Sequence, residues 1–217
     1  MKIVKAQLFL TEYNRSSVKE FPKRSKVVGI RIFTDEGIYG DGEVAGIHAT
    51  YGAFGLIRDM WPFVVGQDPM DNEKIWDQLM LKTFWGQNGG AFWYSAVSAI
   101  DVALWDIKCK ALNVPLYKLL GGKRRDKVRC YASQLQFGWG PADSPAVTVQ
   151  DYVDRAKLAV EDGYDAIKID FLNWDDEGHI LDETNRLGLL PPKMVNMFSD
   201  RVHAVREAIG PDVDLII

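Results

Sequence analysis

The sequence lacks the residues of a disulfide scaffold and the long apolar runs of a membrane protein. Only two of its 217 residues are cysteine and only three are histidine. Cys109 and Cys130 each stand in an apolar context, so we expect reduced core thiols rather than a disulfide or a metal site. No apolar run reaches the roughly 18 residues of a membrane-spanning helix, and the N-terminus has no apolar stretch typical of a secretion signal. These absences favour a cytoplasmic protein with no membrane partner.

An excess of basic charge is missing as well. The chain has 26 Lys and Arg residues against 30 Asp and Glu residues, a formal net charge of −4 and a pI near 5.4. No basic patch stands out, and we therefore expect no nucleic-acid partner. The densest basic run, Lys123–Arg125, is interpreted as a solvated connector. What is present is apolar material, 47% of the residues, which is enough for a sizeable core in one or two domains.

Alternating apolar and polar residues in the N-terminal part are typical of strands. The pattern predicts an antiparallel meander with strands over residues 2–10, 27–33 and 38–44. The last two are joined by the turn Thr34–Gly37, in which a glycine can adopt positive φ. The segments Thr11–Lys26 and Ala45–Gly52 are predicted to be loops, the first long enough to be functional or disordered. His48 lies in the second loop, where a lone histidine is more often a bystander than a ligand contact.

A helical period replaces the strand pattern after Ala53. It predicts helices over residues 71–83 and 91–112, with a short turn over 116–120. In the longer helix, residues at three- and four-residue spacing form a predicted buried stripe made of Val97, Ile100, Leu104, Ile107 and Ala111. Pro115 ends this helix because proline cannot continue its hydrogen bonds. The glycines at 86, 89 and 90 follow no strand, so they are not a nucleotide-binding fingerprint.

Strands and helices alternate after Arg125, which indicates parallel strands with crossover helices. The predicted strands cover residues 127–133, 166–170 and 213–217, and the predicted helices cover residues 149–162 and 192–209. The connection Phe171–Pro191 follows the end of a strand, where β/α proteins build their sites. Its polar residues Asp175, Asp176, Glu177 and His179 lack a regular ligand spacing. We interpret them as a solvated acidic turn rather than a metal site.

The strand Ala166–Asp170 carries the most chemical information. Side chains alternate along a strand, so Lys168 and Asp170 share one face while Ile167 and Ile169 share the other. Burying a lysine and a carboxylate costs several kcal/mol for each ion unless partners compensate. An ordinary salt bridge at a strand end remains the alternative to a catalytic pair.

Three stretches together resemble the enolase superfamily, in its mandelate racemase and muconate-lactonizing branch. They are Ser95–Lys108 with its continuation Pro115–Gly122, then Val128–Ser133, and finally Gly163–Asp170. The resemblance implies an α+β capping domain over residues 1–125, followed by the first part of a (β/α) TIM-like barrel over residues 126–217. About three of the eight barrel strands would be present. It also implies removal of a proton α to a carboxylate with the help of Mg²⁺, whose ligands are expected beyond Ile217.

The resemblance also suggests roles for individual residues. Lys168 matches a lysine that contacts the substrate carboxylate, and Asp170 stands where racemases of the family carry a second lysine as base. A carboxylate is a weak base unless desolvation raises its pKa, so this departure favours one-way loss of water from an acid sugar. His48 and Tyr51 in a capping loop, and Ser133 near the end of the first barrel strand, are candidate substrate contacts.

Two classes of function remain open. The first is a lyase, a sugar-acid dehydratase acting on a small carboxylate sugar, either as a homo-oligomer or with its barrel completed by a further segment. A racemase, epimerase or cycloisomerase is the alternative within the same superfamily. The second class is a truncated, noncatalytic fragment that at most binds a partner. An open three-stranded parallel sheet would expose an edge and an apolar face for such a partner.

Overall fold

The computed structural model describes residues 1–13, 25–44, 50–82, 86–141, 144–181 and 188–217. These residues form two compact units that meet in the sequence between Asp126 and Lys127. The first unit combines an antiparallel sheet with helices, and the second alternates helices with the strands of a parallel sheet. The assignment of residues 1–125 and 126–217 to separate domains of a larger protein stays a prediction.

The sheet of the first unit is the predicted antiparallel meander. Its strands β1 (Ile3–Tyr13), β2 (Ser25–Thr34) and β3 (Tyr39–Glu43) lie in the order β1-β2-β3. Gly37 closes the turn between β2 and β3 at a φ of 80°, which glycine adopts without steric cost. The predicted loop Thr11–Lys26 is too long, because the ladder continues to the pair Tyr13 and Ser25. Backbone pairing extends the strands through polar residues that the apolar pattern could not assign.

The described residues of the first unit also form four helices. They are α1 (Thr50–Met60), α2 (Asn72–Leu81), α3 (Gly90–Leu112) and α4 (Leu116–Leu119), with single 3-10 turns at Trp61–Phe63, Pro69–Asp71 and Gly86–Asn88. Helix α3 starts one residue before the predicted position, and Asn113 ends it in the left-handed conformation. Four members of the predicted stripe are buried, but Ala111 is exposed. The closest approach of α3 to β3 involves Ala99, Ala103 and Ile107, and Ala111 lies one turn beyond these residues.

Glycine lets β3 lie directly against α3. A Cβ atom on Gly42 would lie 1.9 Å from the carbonyl oxygen of Ala99, and one on Gly40 would lie 2.0 Å from that of Ala103. Ala99 and Ala103 are both fully buried, and neither has a side chain beyond the methyl group. Small residues on both sides therefore bring the two backbones into contact, and this contact lies within the core of the first unit.

The second unit is built on a parallel sheet. Its strands β4 (Ala132–Ser133), β5 (Ala166–Lys168) and β6 (Asp214–Ile216) lie in the order β4-β5-β6. Helix α5 (Val149–Glu161) connects β4 to β5, and α6 (Pro192–Ile209) connects β5 to β6, with a 3-10 turn at Leu135–Phe137. The bounds of α6 are those predicted. The predicted strand 127–133 is wrong over its first five residues, which are exposed and form no ladder with β5.

Arg129 connects the N-terminal ends of the sheet. Its Nε donates to Asp165 Oδ1 at 2.9 Å, just before β5, and its Nη1 donates to Asp214 Oδ2 at 2.6 Å, at the start of β6. The guanidinium group, in the segment before β4, thus links the N-terminal end of β5 to that of β6. Asp165 and Asp214 are exposed and act as its ion-pair partners.

Two expectations from composition concern the cysteines and membranes. Neither cysteine forms a disulfide, but Cys130 is exposed and Cys109 is only half-buried, so the prediction of two core thiols was wrong. Cys130 lies in the irregular segment before β4, which is outside the ladder. Among the described residues, no helix has the length and apolar character needed to cross a membrane.

Candidate functional site

The candidate site lies at the C-terminal edge of the parallel sheet. Ser133, Lys168 and Ile216 are direct register partners on the three neighbouring strands. All three are exposed, whereas Ala132 and Ile167, one residue earlier, are buried in the core of the second unit. The strand alternation therefore places Lys168 beside Ser133 on the face that the described helices of this unit leave uncovered.

Lys168 and Asp170 do not form the buried pair that was considered from the sequence. Ile167 and Ile169 are buried as the alternation predicts, but the side chains of Lys168 and Asp170 are both exposed. None of the contacts between described residues joins the two charges. The burial expectation fails because no described element of the second unit covers this face of the sheet. Neither charge therefore carries the desolvation cost of a buried ion.

The turn that follows Asp170 holds its carboxylate. Oδ1 accepts a hydrogen bond from the backbone N–H of Leu172 at 3.3 Å. The Asn173 side-chain amide donates from its nitrogen to Oδ2 at 3.0 Å, in the orientation that gives both its oxygen and its nitrogen suitable partners. The backbone N–H of Asp170 donates to Oε1 of the buried Gln136 at 3.3 Å. The carboxylate is thus directed by residues next to it in the chain rather than by a cation.

The described residues do not form a magnesium site at this edge. Mg²⁺ requires a near-octahedral set of oxygen ligands, usually with one or two carboxylates and substrate oxygens. Asp170 is the only carboxylate beside the C-terminal strand ends in the described part of the chain. Asp165 and Asp214 lie at the opposite ends and bind Arg129. The magnesium ligands therefore stay a prediction for residues other than these.

A separate acidic cluster lies farther along the connection after β5. The side chains of Asp175, Glu177 and His179 bring one ligand atom each within 4.8 Å of the others. Asp175 Oδ1 accepts the backbone N–H groups of Glu177 at 2.9 Å and His179 at 2.8 Å. Slight burial raises the pKa of Asp175, but these hydrogen bonds outweigh it and hold the pKa below the usual value. The Asp175 carboxylate thus accepts the backbone N–H groups of an exposed turn. The interpretation of this segment as a solvated acidic turn rather than a metal site stays a prediction.

One of the two candidate contacts in the first unit is described. Tyr51 stands in the first turn of α1 and is 63% exposed. Its hydroxyl accepts a hydrogen bond from Lys26 Nζ at 2.9 Å, and the same ammonium group lies 4.5 Å from the centre of its ring. A cation therefore stands next to Tyr51 that the sequence pattern did not single out. His48 lies outside the described residues, and its role stays a prediction.

Two buried polar side chains near the site were not predicted. Gln136 is 3% exposed and binds the backbone of Asp170, and Arg201 is fully buried beneath the turn after Asp170. The sequence holds one signal for Arg201. It lies four residues after Met197 and four before Val205, so a charge occupies a core position of α6. No comparable signal marks Gln136.

Proteins with related sequences match this chain over most of its length. Residues 14–121 match the family model of the mandelate racemase / muconate lactonizing enzyme N-terminal domain. The chain is 35% identical over 185 residues to a D-galactonate dehydratase of Verminephrobacter eiseniae and 36% identical over 187 residues to one of Variovorax paradoxus. Each match covers 85% of this chain and 42% of the relative. The chain thus spans less than half the length of these relatives.

Solved structures show the same relationship across both units. A member of the enolase superfamily from Salmonella Typhimurium is 43% identical with a TM-score of 0.88, and the match covers 99% of this chain and 53% of that one. The 3,6-anhydro-D-galactonate cycloisomerase of Zobellia galactanivorans is 26% identical with a TM-score of 0.70, over 99% and 50% of the two chains. A capping domain followed by part of a barrel is consistent with these matches. The chain belongs to the enolase superfamily, in its mandelate racemase and muconate-lactonizing branch, of which it carries an N-terminal portion.

Proposed function

We propose that this chain is the N-terminal portion of a magnesium-dependent acid-sugar dehydratase, a hydro-lyase. The observation that carries the proposal is the position of Lys168, exposed at the C-terminal end of β5 beside Ser133. Two relatives that are named D-galactonate dehydratase support the reaction class. D-Galactonate is therefore the first substrate to test.

The chemistry requires positive charge at the substrate carboxylate. Removing the α-proton adds a second negative charge to a group that is already anionic, and a fixed cation lowers the energy of that intermediate. Lys168 is proposed to bind the carboxylate and stabilise this charge, and the Ser133 hydroxyl to donate a hydrogen bond beside it. Departure of the β-hydroxyl group with a proton then releases water. The resulting enol becomes a 2-keto-3-deoxy acid by proton transfer to carbon.

Asp170 is proposed to orient the substrate or accept a proton, with the principal base elsewhere. A lysine at this position would favour two-base racemisation, whereas a carboxylate favours chemistry in one direction. Magnesium would supply further charge at the intermediate, and its ligands are proposed beyond Ile217. Two observations support this proposal. Asp170 is the only carboxylate that the described residues supply at this edge of the sheet, and the relatives are more than twice as long as the segment that matches this chain.

Substrate choice is proposed to involve the first unit. Tyr51 offers a hydroxyl that is already bound to the Lys26 ammonium, a pair suited to the hydroxyl or carboxylate groups of a sugar acid. His48, three residues before Tyr51 in the sequence and outside the described residues, is proposed as a second contact. The active assembly is proposed to be a homo-oligomer or to have its barrel completed by further polypeptide.

A panel of aldonic acids tests the proposal. The intact protein is incubated with each acid with and without Mg²⁺, and the products are identified by NMR and mass spectrometry. We expect loss of one water from D-galactonate or a close stereoisomer, and no reaction after chelation of the metal. A C2 epimer or a product of unchanged mass would instead support a racemase, epimerase or cycloisomerase, the last of which has a structural relative.

A noncatalytic fragment is the second candidate, and one observation favours it. Exposed apolar residues stand within the outer strands of the parallel sheet or close to them in the sequence, including Val128 at 74%, Ile216 at 39% and Ile217 at 67% exposure. These residues would associate with another chain through the hydrophobic effect. Absence of Mg²⁺ binding and of turnover across the panel, together with association detected by analytical ultracentrifugation, would favour this candidate over the dehydratase.

A further inference from the structure

Among the described residues, Arg201 is a buried cation without a buried counter-charge. Its side chain is 0% exposed, and its one carboxylate contact within that part of the chain is Asp176 Oδ1 at 3.4 Å, on a side chain that is 55% exposed. A buried guanidinium costs several kcal/mol unless its hydrogen bonds are satisfied. The groups that satisfy this one are mainly backbone carbonyls, so the chain segment that carries them indicates what Arg201 does.

One nitrogen of Arg201 bridges the turn after Asp170. Nη1 donates to the carbonyl oxygen of Phe171 at 2.8 Å and to that of Trp174 at 2.7 Å. Nη2 donates to the carbonyl oxygens of Val147 at 2.9 Å and Asp175 at 3.2 Å. The two carbonyls on Nη1 lie on either side of Leu172 and Asn173. The guanidinium therefore sets the distance between the two ends of this turn.

Leu172 and Asn173 are the residues that hold the Asp170 carboxylate. The Leu172 N–H donates to Oδ1 at 3.3 Å, and the Asn173 amide donates to Oδ2 at 3.0 Å. The rings on either side anchor the turn. Phe171 and Trp174 are each 1% exposed and pack against neighbouring aromatic rings, with centroid distances of 5.3 Å to Tyr152 and 5.4 Å to Phe137. A change in the turn would therefore reach Asp170 directly.

We infer that Arg201 is a positioning residue, which fixes the orientation of the Asp170 carboxylate through the turn Phe171–Trp174. The inference rests on the proposed function, in which Asp170 meets the substrate. Arg201 itself lies in the core of the second unit and contacts no substrate. Its effect on the reaction passes through the Leu172 N–H and the Asn173 amide.

The geometry requires an arginine rather than any cation. A guanidinium presents donors on separate nitrogens in one plane, whereas lysine offers one nitrogen. Arg201→Lys therefore keeps the positive charge and cannot reproduce both pairs of carbonyl contacts. Arg155 in α5 provides a matched control, because it is also buried, at 3% exposure, and donates to Ser144 Oγ and the Pro145 carbonyl at 3.3 Å each. None of these contacts lies in the turn.

A double-mutant cycle in the intact protein tests the inference. The kinetic constants kcat and KM for dehydration are measured for Asp170→Asn, Arg201→Lys, the double variant and Arg155→Lys. We expect Arg201→Lys to lower kcat by on the order of tenfold to a hundredfold with a smaller change in KM, as for a displaced reacting group. The same substitution should have no further effect on kcat in the Asp170→Asn background. Arg155→Lys should leave kcat within about twofold.

Hydrogen exchange of the Leu172 amide separates this inference from the proposed function. Exchange should be faster in Arg201→Lys and unchanged in Arg155→Lys. If Asp170→Asn keeps full activity, the proposed role of Asp170 in the reaction fails. The positioning of the carboxylate by Arg201 is still supported in that case if exchange at Leu172 is faster in Arg201→Lys but not in Arg155→Lys. Unchanged exchange, or an equal loss of kcat with and without Asp170, overturns the inference. If Arg201→Lys does not fold, Asn173→Ala takes its place, and an unchanged kcat in that variant overturns it as well.

Discussion

Replacing Gly42 by alanine probes the contact on which the first unit is built. The added Cβ would lie 1.9 Å from the Ala99 carbonyl oxygen, where 3.0 Å is already the closest approach that such atoms show. Both atoms belong to backbone that is fixed by a strand or a helix, so no rotamer change relieves the clash. Strand β3 and helix α3 must therefore separate by about 1 Å in a close-packed core. Overpacking of this kind costs typically 1–3 kcal/mol, and we expect Gly42→Ala near the upper end, about 3 kcal/mol.

Urea unfolding of the intact protein, followed by circular dichroism, measures this loss, and Gly55→Ala is the control. Gly55 lies within α1, and a Cβ there would meet nothing within 4 Å. Alanine at an open helical position should leave the free energy of unfolding unchanged or raise it by up to about 1 kcal/mol. Equal unfolding midpoints for Gly42→Ala and Gly55→Ala would refute the close approach of β3 to α3.

Asp151 in the first turn of α5 and the neighbouring Tyr152 give two pH-dependent predictions. Partial burial raises the pKa of Asp151, but hydrogen bonds from the N–H groups of Thr148 and Val147 outweigh it and hold the pKa below the usual value. These bonds therefore stabilise the folded protein above about pH 4, and this stabilisation is lost as pH falls through the folded-state pKa. Asp151→Asn should therefore lower the free energy of unfolding by about 1 kcal/mol at pH 7 and by less at pH 3 in urea titrations, and equal losses would contradict this. Burial raises the pKa of Tyr152 to about 12 from 10.0, so stability should fall between these pH values as only the unfolded tyrosine ionises, and Tyr152→Phe should remove that fall. Because the hydroxyl has no hydrogen-bond partner among the described residues, a loss above about 1 kcal/mol at pH 7 in Tyr152→Phe would count against this account.

Elements with a clear side-chain period could be predicted from the sequence. Helix α6 has the predicted bounds Pro192–Ile209, and α3 differs from prediction by one residue, because long helices carry their own apolar stripe. The strands were less predictable. Strand β4 is only Ala132–Ser133, although residues 127–131 also read as strand, because a ladder needs a partner alongside. The ends of β1 and β2 extend through polar residues for the same reason.

The candidate site could be predicted in part. Alternation alone places Lys168 and Asp170 on the face opposite Ile167 and Ile169, and the structure shows this arrangement. Their burial could not be predicted, because it depends on what covers the sheet. Arg201 could not be assigned a role either. Its partners are backbone carbonyls from the segment before α5 and from the turn after β5, and carbonyls have no sequence signature.

The rate of water loss from D-galactonate in Lys168→Ala tests the central claim most directly. Lys157→Ala is the control, because Lys157 is an exposed lysine of α5 in the same unit. The intact protein is assayed with saturating Mg²⁺, and the keto acid product is quantified. We predict that Lys168→Ala lowers kcat/KM by about a hundredfold or more, as expected when charge stabilisation of the intermediate is removed, while Lys157→Ala keeps the parent value. Equal activity of the two variants would contradict the assignment of this strand end as the catalytic site.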